Sequence, residues 1–178
     1  MKHENIILID ADVVSHFINA GEILLLGKIF KTPIKILDKV YSELERWPKK
    51  KTEVDNLINF NLLDVIPFPE HDTSIRKEYL YIKSVLFKGE GESACMAVAR
   101  YNKNVLASNN LSDIGNYCQL HNIIYLTTAD FLYRAYQTGL FTEERCNNFI
   151  KKNIKSNKNY LGINKMNDYK PRDFSHIK

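Results

Sequence analysis

Residues 5–14 read NIILIDADVV, in which a short apolar run is followed by two aspartates, Asp10 and Asp12. A short apolar run of this kind is typical of a strand that is buried on both faces. The periodicity of the next segment predicts a helix over 12–21. A buried strand that passes through an acid into a helix opens a parallel α/β unit. Capping of the helix by Asp10 or Asp12 remains an alternative explanation for these two acids.

The same alternation continues along the chain. Short apolar runs predict four more strands, near 33–37, 62–68, 104–108 and 123–126. Helical periodicity predicts helices over 22–30, 39–47, 52–61, 73–87, 90–101, 111–122, 128–139 and 142–154. The sequence therefore predicts a three-layer α/β/α fold with a central, mainly parallel sheet of about five strands. In such folds the active site lies beyond the carboxyl ends of the strands.

The composition is that of an ordinary globular protein, with 44% hydrophobic and 26% charged residues in 178. No apolar run approaches the length of a membrane span, and Asp10 and Asp12 interrupt the N-terminal run before a signal peptide could form. The three widely spaced cysteines, Cys95, Cys118 and Cys146, are expected to be reduced and mostly buried. These features predict a cytoplasmic protein without a membrane segment.

The net charge of +4 is unevenly distributed. Residues 151–178 carry eight Lys and Arg against two acids, a net +6, which leaves −2 for residues 1–150. Regular periodicity also ends near residue 156. We therefore predict a domain over 1–156 and a loosely ordered basic tail over 157–178. The tail suggests a polyanionic partner, although a solvated terminus explains it equally well.

Glu43 lies in VYSELER (40–46), on the border of a helical face formed by Val40, Leu44 and Trp47. This face predicts core packing for Trp47 and a half-inward position for Glu43. A border glutamate on an ordinary solvated helix is the alternative.

A second glutamate stands in GEGESACMAVAR (89–100). Glu92 shares an inward helical stripe with Cys95, Met96 and Ala99, whereas Glu90 is rotated roughly 160° away from it. A glutamate on an inward stripe must be paired, protonated or bound to a cation. The small neighbouring residues would let this helix approach the sheet closely.

A polar cluster, SNNLSDI (108–114), follows the fourth predicted strand. Asn110 and Asp113 either cap the next helix or contribute to a site at the strand end. Acids thus recur at strand ends and inward helix borders. Such carboxylates repel one another unless cations lie between them, and hard oxygen ligands suit Mg²⁺ or Mn²⁺.

Taken in order, these segments resemble the PIN-domain ribonucleases, which include the toxins of toxin–antitoxin pairs. The resemblance covers roughly residues 5–150 and includes a final helical hairpin similar to that of one PIN subgroup. The segments that carry it are ILIDADVVSHFI (7–18), VYSELER (40–46), GEGESACMAVA (89–99), VLASNNLSDI (105–114) and LTTADFLYRAYQTGLFTEE (126–144).

The resemblance implies a metal-dependent hydrolase that cleaves phosphodiesters of single-stranded RNA without a protein nucleophile. It assigns one or two Mg²⁺ or Mn²⁺ ions to four catalytic acids, namely Asp10, Glu43, Glu92 and Asp113. Asp12, Asn109 and Asn110 are expected to support the site. At the positions of Asn109 and Asn110 the family often has an acid or an Asn. A small antitoxin protein and a homodimer are also implied as partners.

Other residues are weaker candidates for contact with RNA or a second copy. Lys49, Lys50 and Lys51 would attract RNA. Tyr160 and Tyr169 in the tail could stack on bases, as could Trp47 if it does not pack in the core. His16 is expected to be structural rather than part of the site. The segment ILLLGKIF (23–30) is a candidate dimer surface, with core burial as the simpler explanation.

Two further functions remain open at this stage. The amides at 109 and 110 suggest a non-catalytic PIN-like RNA-binding or scaffold protein. The second alternative is a metal-dependent enzyme that acts on a small phosphoester, which would need a deep, enclosed pocket.

Overall fold

The computed structural model describes residues 5–86, 88–155, 161–173 and 177. Five short strands form one sheet in the order β3-β2-β1-β4-β5, and all neighbouring pairs are parallel. The predicted α/β fold with a five-stranded central sheet is therefore confirmed. The strands are β1 (Ile7–Ile9), β2 (Ile34–Leu37), β3 (Asp64–Ile66), β4 (Val105–Ala107) and β5 (Tyr125–Leu126).

Helices flank this sheet, and every residue of β1 and β4 is buried, as expected for strands covered on both faces. Short 3₁₀ turns at Ile23–Lys28, Leu44–Arg46 and Met166–Asp168 supplement the helices. The α-helices are α1 (Ala11–Ala20), α2 (Asp38–Glu43), α3 (Pro48–Asn59), α4 (Thr73–Val85), α5 (Glu90–Asn102), α6 (Leu111–His121), α7 (Thr128–Gln137) and α8 (Glu143–Lys155).

The strand order places a topological switch point between β1 and β4. From β1 the chain proceeds outward through β2 and β3, and β4 then returns to the other side of β1. Ile9 is in register with Ala107, and the backbone N–H of Asp10 donates to the carbonyl of Ala107 at 2.9 Å. The residues that follow β1 and β4 therefore emerge side by side, where parallel α/β folds bind ligands.

Helix α5 approaches α2 very closely at Gly91. A Cβ atom at this position would lie 2.9 Å from Cγ2 of Val40 and 3.0 Å from Oε2 of Glu43. Residues 91–99 of α5 are also buried, and small residues such as Ala94 and Ala97 leave no exposed surface. The absence of a side chain at 91 thus sets the distance between the two helices that carry Glu43 and Glu92.

Two local predictions need correction. The segment 22–30, predicted as a helix, forms a 3₁₀ helix over Ile23–Lys28 only, and Ile23, Leu26 and Phe30 are buried in the core. Trp47 is not in the core, because 47% of its surface is exposed. Helix α2 ends at Glu43 and Trp47 has non-helical backbone angles (φ −130°, ψ 81°), so the α-helical face predicted for it does not extend that far.

Part of the basic tail lies against the body of the protein. Leu161, Ile163 and Met166 are buried, and Tyr169 stacks on Tyr133 with 4.9 Å between ring centroids. The division into a domain over 1–156 and a loosely ordered tail over 157–178 stays a prediction, and Tyr160 lies outside the described residues.

No helix in the described ranges is long and apolar enough to cross a membrane. The three cysteines are buried and free, as predicted.

The contact at Gly91 predicts the effect of a single methyl group. Gly91→Ala should lower the free energy of unfolding by about 1–3 kcal/mol, because the added carbon overpacks against Val40. Gly115→Ala is the matched control in the interior of α6, where a Cβ meets no atom within 4 Å. It should be neutral or stabilise by about 0.5–1 kcal/mol. Urea unfolding measures both, and equal stability of the two variants would contradict the close contact.

Candidate active site

Two acids at the start of α1 lie beside the end of β4. Asp10 is 8% exposed and caps the helix, with Oδ1 accepting from the backbone N–H of Ala11 at 2.8 Å. Asp12 Oδ2 accepts from the backbone N–H of Asn109 at 2.6 Å. The hydroxyl of Ser108 lies 3.4 Å from Oδ2 of both acids. The register of β1 and β4 therefore holds these two carboxylates together.

Glu43 reaches the same region from the end of α2. Its Oε1 accepts from the backbone N–H of Gly91 at 2.8 Å, in the first turn of α5. A helix N-terminus has unpaired N–H groups and a partial positive charge, which favour a carboxylate there. Gly91 therefore brings the helices together and also orients Glu43.

Asn110 connects the remaining two predicted acids. Its Nδ2 donates to Glu92 Oε1 at 3.1 Å and to Asp113 Oδ2 at 2.6 Å. The other oxygen of Asp113 forms an ion pair with Lys88 Nζ at 2.5 Å. The amide at 110 thus acts as a hydrogen-bond bridge between two carboxylates.

One cavity of about 390 Å³ brings the predicted acids together. All four lie on its wall, and Asp12 and Asn110 lie there with them. Asn109 does not line the cavity, because its Oδ1 accepts from the backbone N–H of Thr128 at 2.7 Å. The remaining lining residues are Ala11, Ser15, Trp47, Lys50 and Gly89.

Three carboxylates of this cavity, those of Asp10, Asp12 and Glu92, resist ionisation. Burial, reinforced by the charge of Asp12, raises the pKa of Asp10 well above its usual value. Burial also raises the pKa of Asp12 to about 6, and burial together with the charge of Asp113 raises the pKa of Glu92 to about 7. The hydrogen bond from Lys88 instead lowers the pKa of Asp113. Near neutral pH the cluster therefore favours added positive charge, either protons or a cation.

The chemistry of these donors fits a hard divalent cation, because they are carboxylate oxygens in a polar cavity. Among the residues that the structure describes, however, no three His, Cys, Asp or Glu side chains are arranged so that they could hold a metal ion. The carboxylates bond instead to protein donors, namely Gly91, Asn110 and Lys88.

Only one of the three predicted lysines reaches the cavity. Lys50 lines it, donates to Ser15 Oγ at 2.9 Å, and lies 5.2 Å from the ring centroid of Trp47. Lys51 bonds to Tyr41 and Asp55 on the far side of this turn, and Lys49 is exposed.

Sequence reasoning missed Ser15, Ser108 and Lys88. Ser108 directly follows β4, so its position at a strand end was a signal that could have identified it. Nothing in the sequence marks Lys88, since its partner lies 25 residues further along the chain. His16 is buried and its Nδ1 lies 2.8 Å from Thr128 Oγ1, in agreement with the expected structural role.

No protein-family model and no curated protein matches the chain. Among solved structures, one similar chain belongs to the crystal structure of VapBC2 from Rickettsia felis bound to a DNA fragment from their promoter. The two chains are 19% identical, the match covers 68% of this chain and 98% of that one, and the TM-score is 0.47. At this level of similarity, the function is inferred from the chain's own site.

The raised pKa of Glu92 predicts a pH-dependent effect on stability. Between pH 4.5 and about 7 the folded state binds more protons than the unfolded state, so the wild-type free energy of unfolding falls as pH rises. The Glu92→Gln variant has no titrating carboxyl at this position, so its free energy of unfolding does not fall in this way. Without divalent cations, it should be more stable than the wild type by on the order of 2 kcal/mol at pH 8 and show little difference at pH 4.

Glu90→Gln is the matched control, two residues away. Hydrogen bonding from Tyr79 lowers the pKa of this exposed acid, so its removal should slightly destabilise the protein at pH 8. Urea unfolding in EDTA at several pH values measures both variants. A Glu92→Gln protein that is less stable than the wild type at pH 8 would contradict the described electrostatics.

Proposed function

We propose that the protein is a divalent-metal-dependent endoribonuclease that hydrolyses phosphodiesters of single-stranded RNA. One observation carries the proposal: Asp10, Glu43, Glu92 and Asp113 converge on one cavity from different elements at the switch point of the sheet. Carboxylates that are separated in sequence and yet gathered in one polar cavity are costly to a fold, as the raised pKa values of Asp10 and Glu92 indicate. A functional requirement for a cation explains their convergence.

Mg²⁺ or Mn²⁺ would be held by these same four acids. When bound, such an ion polarises a phosphoryl oxygen and makes water a stronger nucleophile at neutral pH. Asn110 keeps Glu92 and Asp113 close together, and the hydroxyl of Ser108 orients Asp10. These contacts reduce the reorganisation that binding of the ion requires.

The walls of the cavity suit a nucleic-acid strand. Lys50 supplies an ammonium group beside the acids, and Trp47 offers an exposed ring on which an unpaired base can stack. Trp47 therefore contributes in a way that its predicted core position would have excluded. The exposed rim also favours a polymer over the small phosphoester that a closed pocket would hold.

The hydroxyl of Ser15 on the cavity wall donates to the carbonyl of Ala11 at 2.6 Å and accepts from Lys50, so no base that the structure describes is placed to make it a nucleophile. Burial raises the pKa of the Cys95 thiol well above its usual value, so the reactive thiolate is disfavoured. Burial lowers the pKa of His16 to about 4, and the ring bonds to Thr128 outside the cavity. Hydrolysis by water is therefore the reaction that these residues support.

Cleavage of a labelled single-stranded RNA tests this proposal. The wild type should cut the RNA with Mg²⁺ or Mn²⁺ and lose this activity in EDTA. Asp10→Asn should reduce the rate by at least about a hundredfold, because it removes a carboxylate from the metal-binding set.

Asp64→Asn is the control with the same change of charge, at an exposed aspartate that pairs with Lys35 outside the cavity. It should leave cleavage unchanged. Salt-sensitive RNA binding without cleavage under either metal would instead support the non-catalytic RNA-binding protein. The bridging amide of Asn110, together with the absence of a preformed metal-binding group among the described residues, favours that second candidate.

We further propose, from the sequence resemblance, that the nuclease is the toxin of a toxin–antitoxin pair with a small protein partner. Its expression in a bacterial host should then arrest growth, and Asp10→Asn should relieve the arrest at equal protein level. Growth curves with immunoblots measure this. Normal growth of cells that express folded, RNA-cleaving wild-type protein would exclude the toxin role while leaving the nuclease activity in place.

A further inference from the structure

Lys88 reaches the candidate active site from a neighbouring groove. This groove has a volume of about 650 Å³ and lies between α4 and α6. Asp113 lines both the groove and the acid cavity, whereas Lys88 lines only the groove. Asp113 therefore stands on the border of the two spaces, and the ammonium of Lys88 contacts it from the groove side.

The contact with Lys88 affects the ability of Asp113 to bind a metal. Oδ1 of Asp113 lies 2.5 Å from Lys88 Nζ, and Oδ2 accepts from Asn110 Nδ2 at 2.6 Å. Both oxygens thus have protein donors. A divalent cation on Oδ1 would repel an ammonium at this distance strongly. Lys88 and a metal ion are therefore mutually exclusive partners of this oxygen.

The ion pair is open enough to exchange. The side chain of Lys88 is 17% exposed and that of Asp113 is 34% exposed. Because water reaches Asp113, solvent can take the place of the ammonium on this carboxylate when the pair separates. Lys88 belongs to the short segment between α4 and α5, and its side chain already lines the groove.

The groove offers a released ammonium a suitable new partner. Arg100, the other strongly basic residue on its wall, already pairs with Glu78 at 2.6 Å. Tyr81 is 49% exposed and presents a ring to the same space. A free ammonium next to an exposed aromatic ring suits one phosphate and one base of an unpaired strand. The groove also continues directly from the acid cavity at Asp113.

We propose that Lys88 is an exchangeable counter-ion that couples metal binding to RNA binding. It holds Asp113 while no metal is bound, and it binds a phosphate of the RNA strand in the groove once a divalent cation takes Asp113. This inference rests on the proposed nuclease function and extends it to the path of the strand beyond the acids.

Metal affinity in the absence of RNA is the first test. Lys88→Met should bind Mn²⁺ on the order of tenfold more tightly than the wild type in isothermal titration calorimetry, because the competing charge is gone. Lys88→Gln provides a second neutral variant, and Lys88→Arg should retain the weaker wild-type affinity. Lys83→Met is the matched control, because that lysine pairs with Glu90 outside the cavity and its loss should leave Mn²⁺ affinity unchanged.

The second measurement is cleavage of single-stranded RNA at saturating Mn²⁺. Lys88→Met should raise KM about fivefold to tenfold with little change in kcat, since a phosphate contact is lost outside the reacting centre. Lys83→Met should match the wild type.

The outcomes separate this inference from the proposed function. Equal or weaker Mn²⁺ affinity in both neutral variants, with a wild type that binds Mn²⁺ and cuts RNA, would overturn the exchange alone. An unchanged KM in Lys88→Met would overturn the phosphate contact. A wild type that neither binds Mn²⁺ nor cuts RNA would overturn the nuclease function and this inference with it.

Discussion

The hydrogen bond from the backbone N–H of Gly91 to Glu43 is the contact on which the candidate site depends. It forms only because residue 91 has no side chain and α5 can pack directly on Val40 of α2. That packing fixes both glutamates of the site, since Glu92 follows Gly91 in the same helical turn. Gly91 therefore allows the close packing of the two helices and also orients Glu43 in the cavity.

Close packing of these helices creates an electrostatic problem that the fold solves only in part. Asp10 and Glu92 are buried beside other acids, and their pKa values rise as a result. Asn110 and Ser108 donate hydrogen bonds to the cluster without adding charge, and Lys88 neutralises only its outer member. In the described part of the chain no Lys or Arg forms an ion pair with Asp10 or Glu92, and this is the physical basis on which we propose a cation for them.

Local patterns in the sequence predicted the sheet and the acids for clear reasons. Buried strands are short apolar runs, and Asp10 and Asp113 follow such runs closely enough for their location to be inferred. The prediction failed for Trp47, because it assumed an unbroken α-helix where a 3₁₀ turn intervenes. It did not identify Lys88 or the contact of Asn109 with Thr128, since both depend on contacts between distant segments.

The C-terminal segment is connected to the site through α7. Tyr169 and Arg172 both donate to the fully buried carboxylate of Asp130, in the first turn of that helix. In the same helical turn, the backbone N–H of Thr128 donates to the side chain of Asn109. The backbone N–H of Asn109 in turn donates to Asp12 in the candidate site. The charge of Arg172 is thus neutralised within the protein by Asp130. The described part of the tail packs against the helix that supports one edge of the acid cavity.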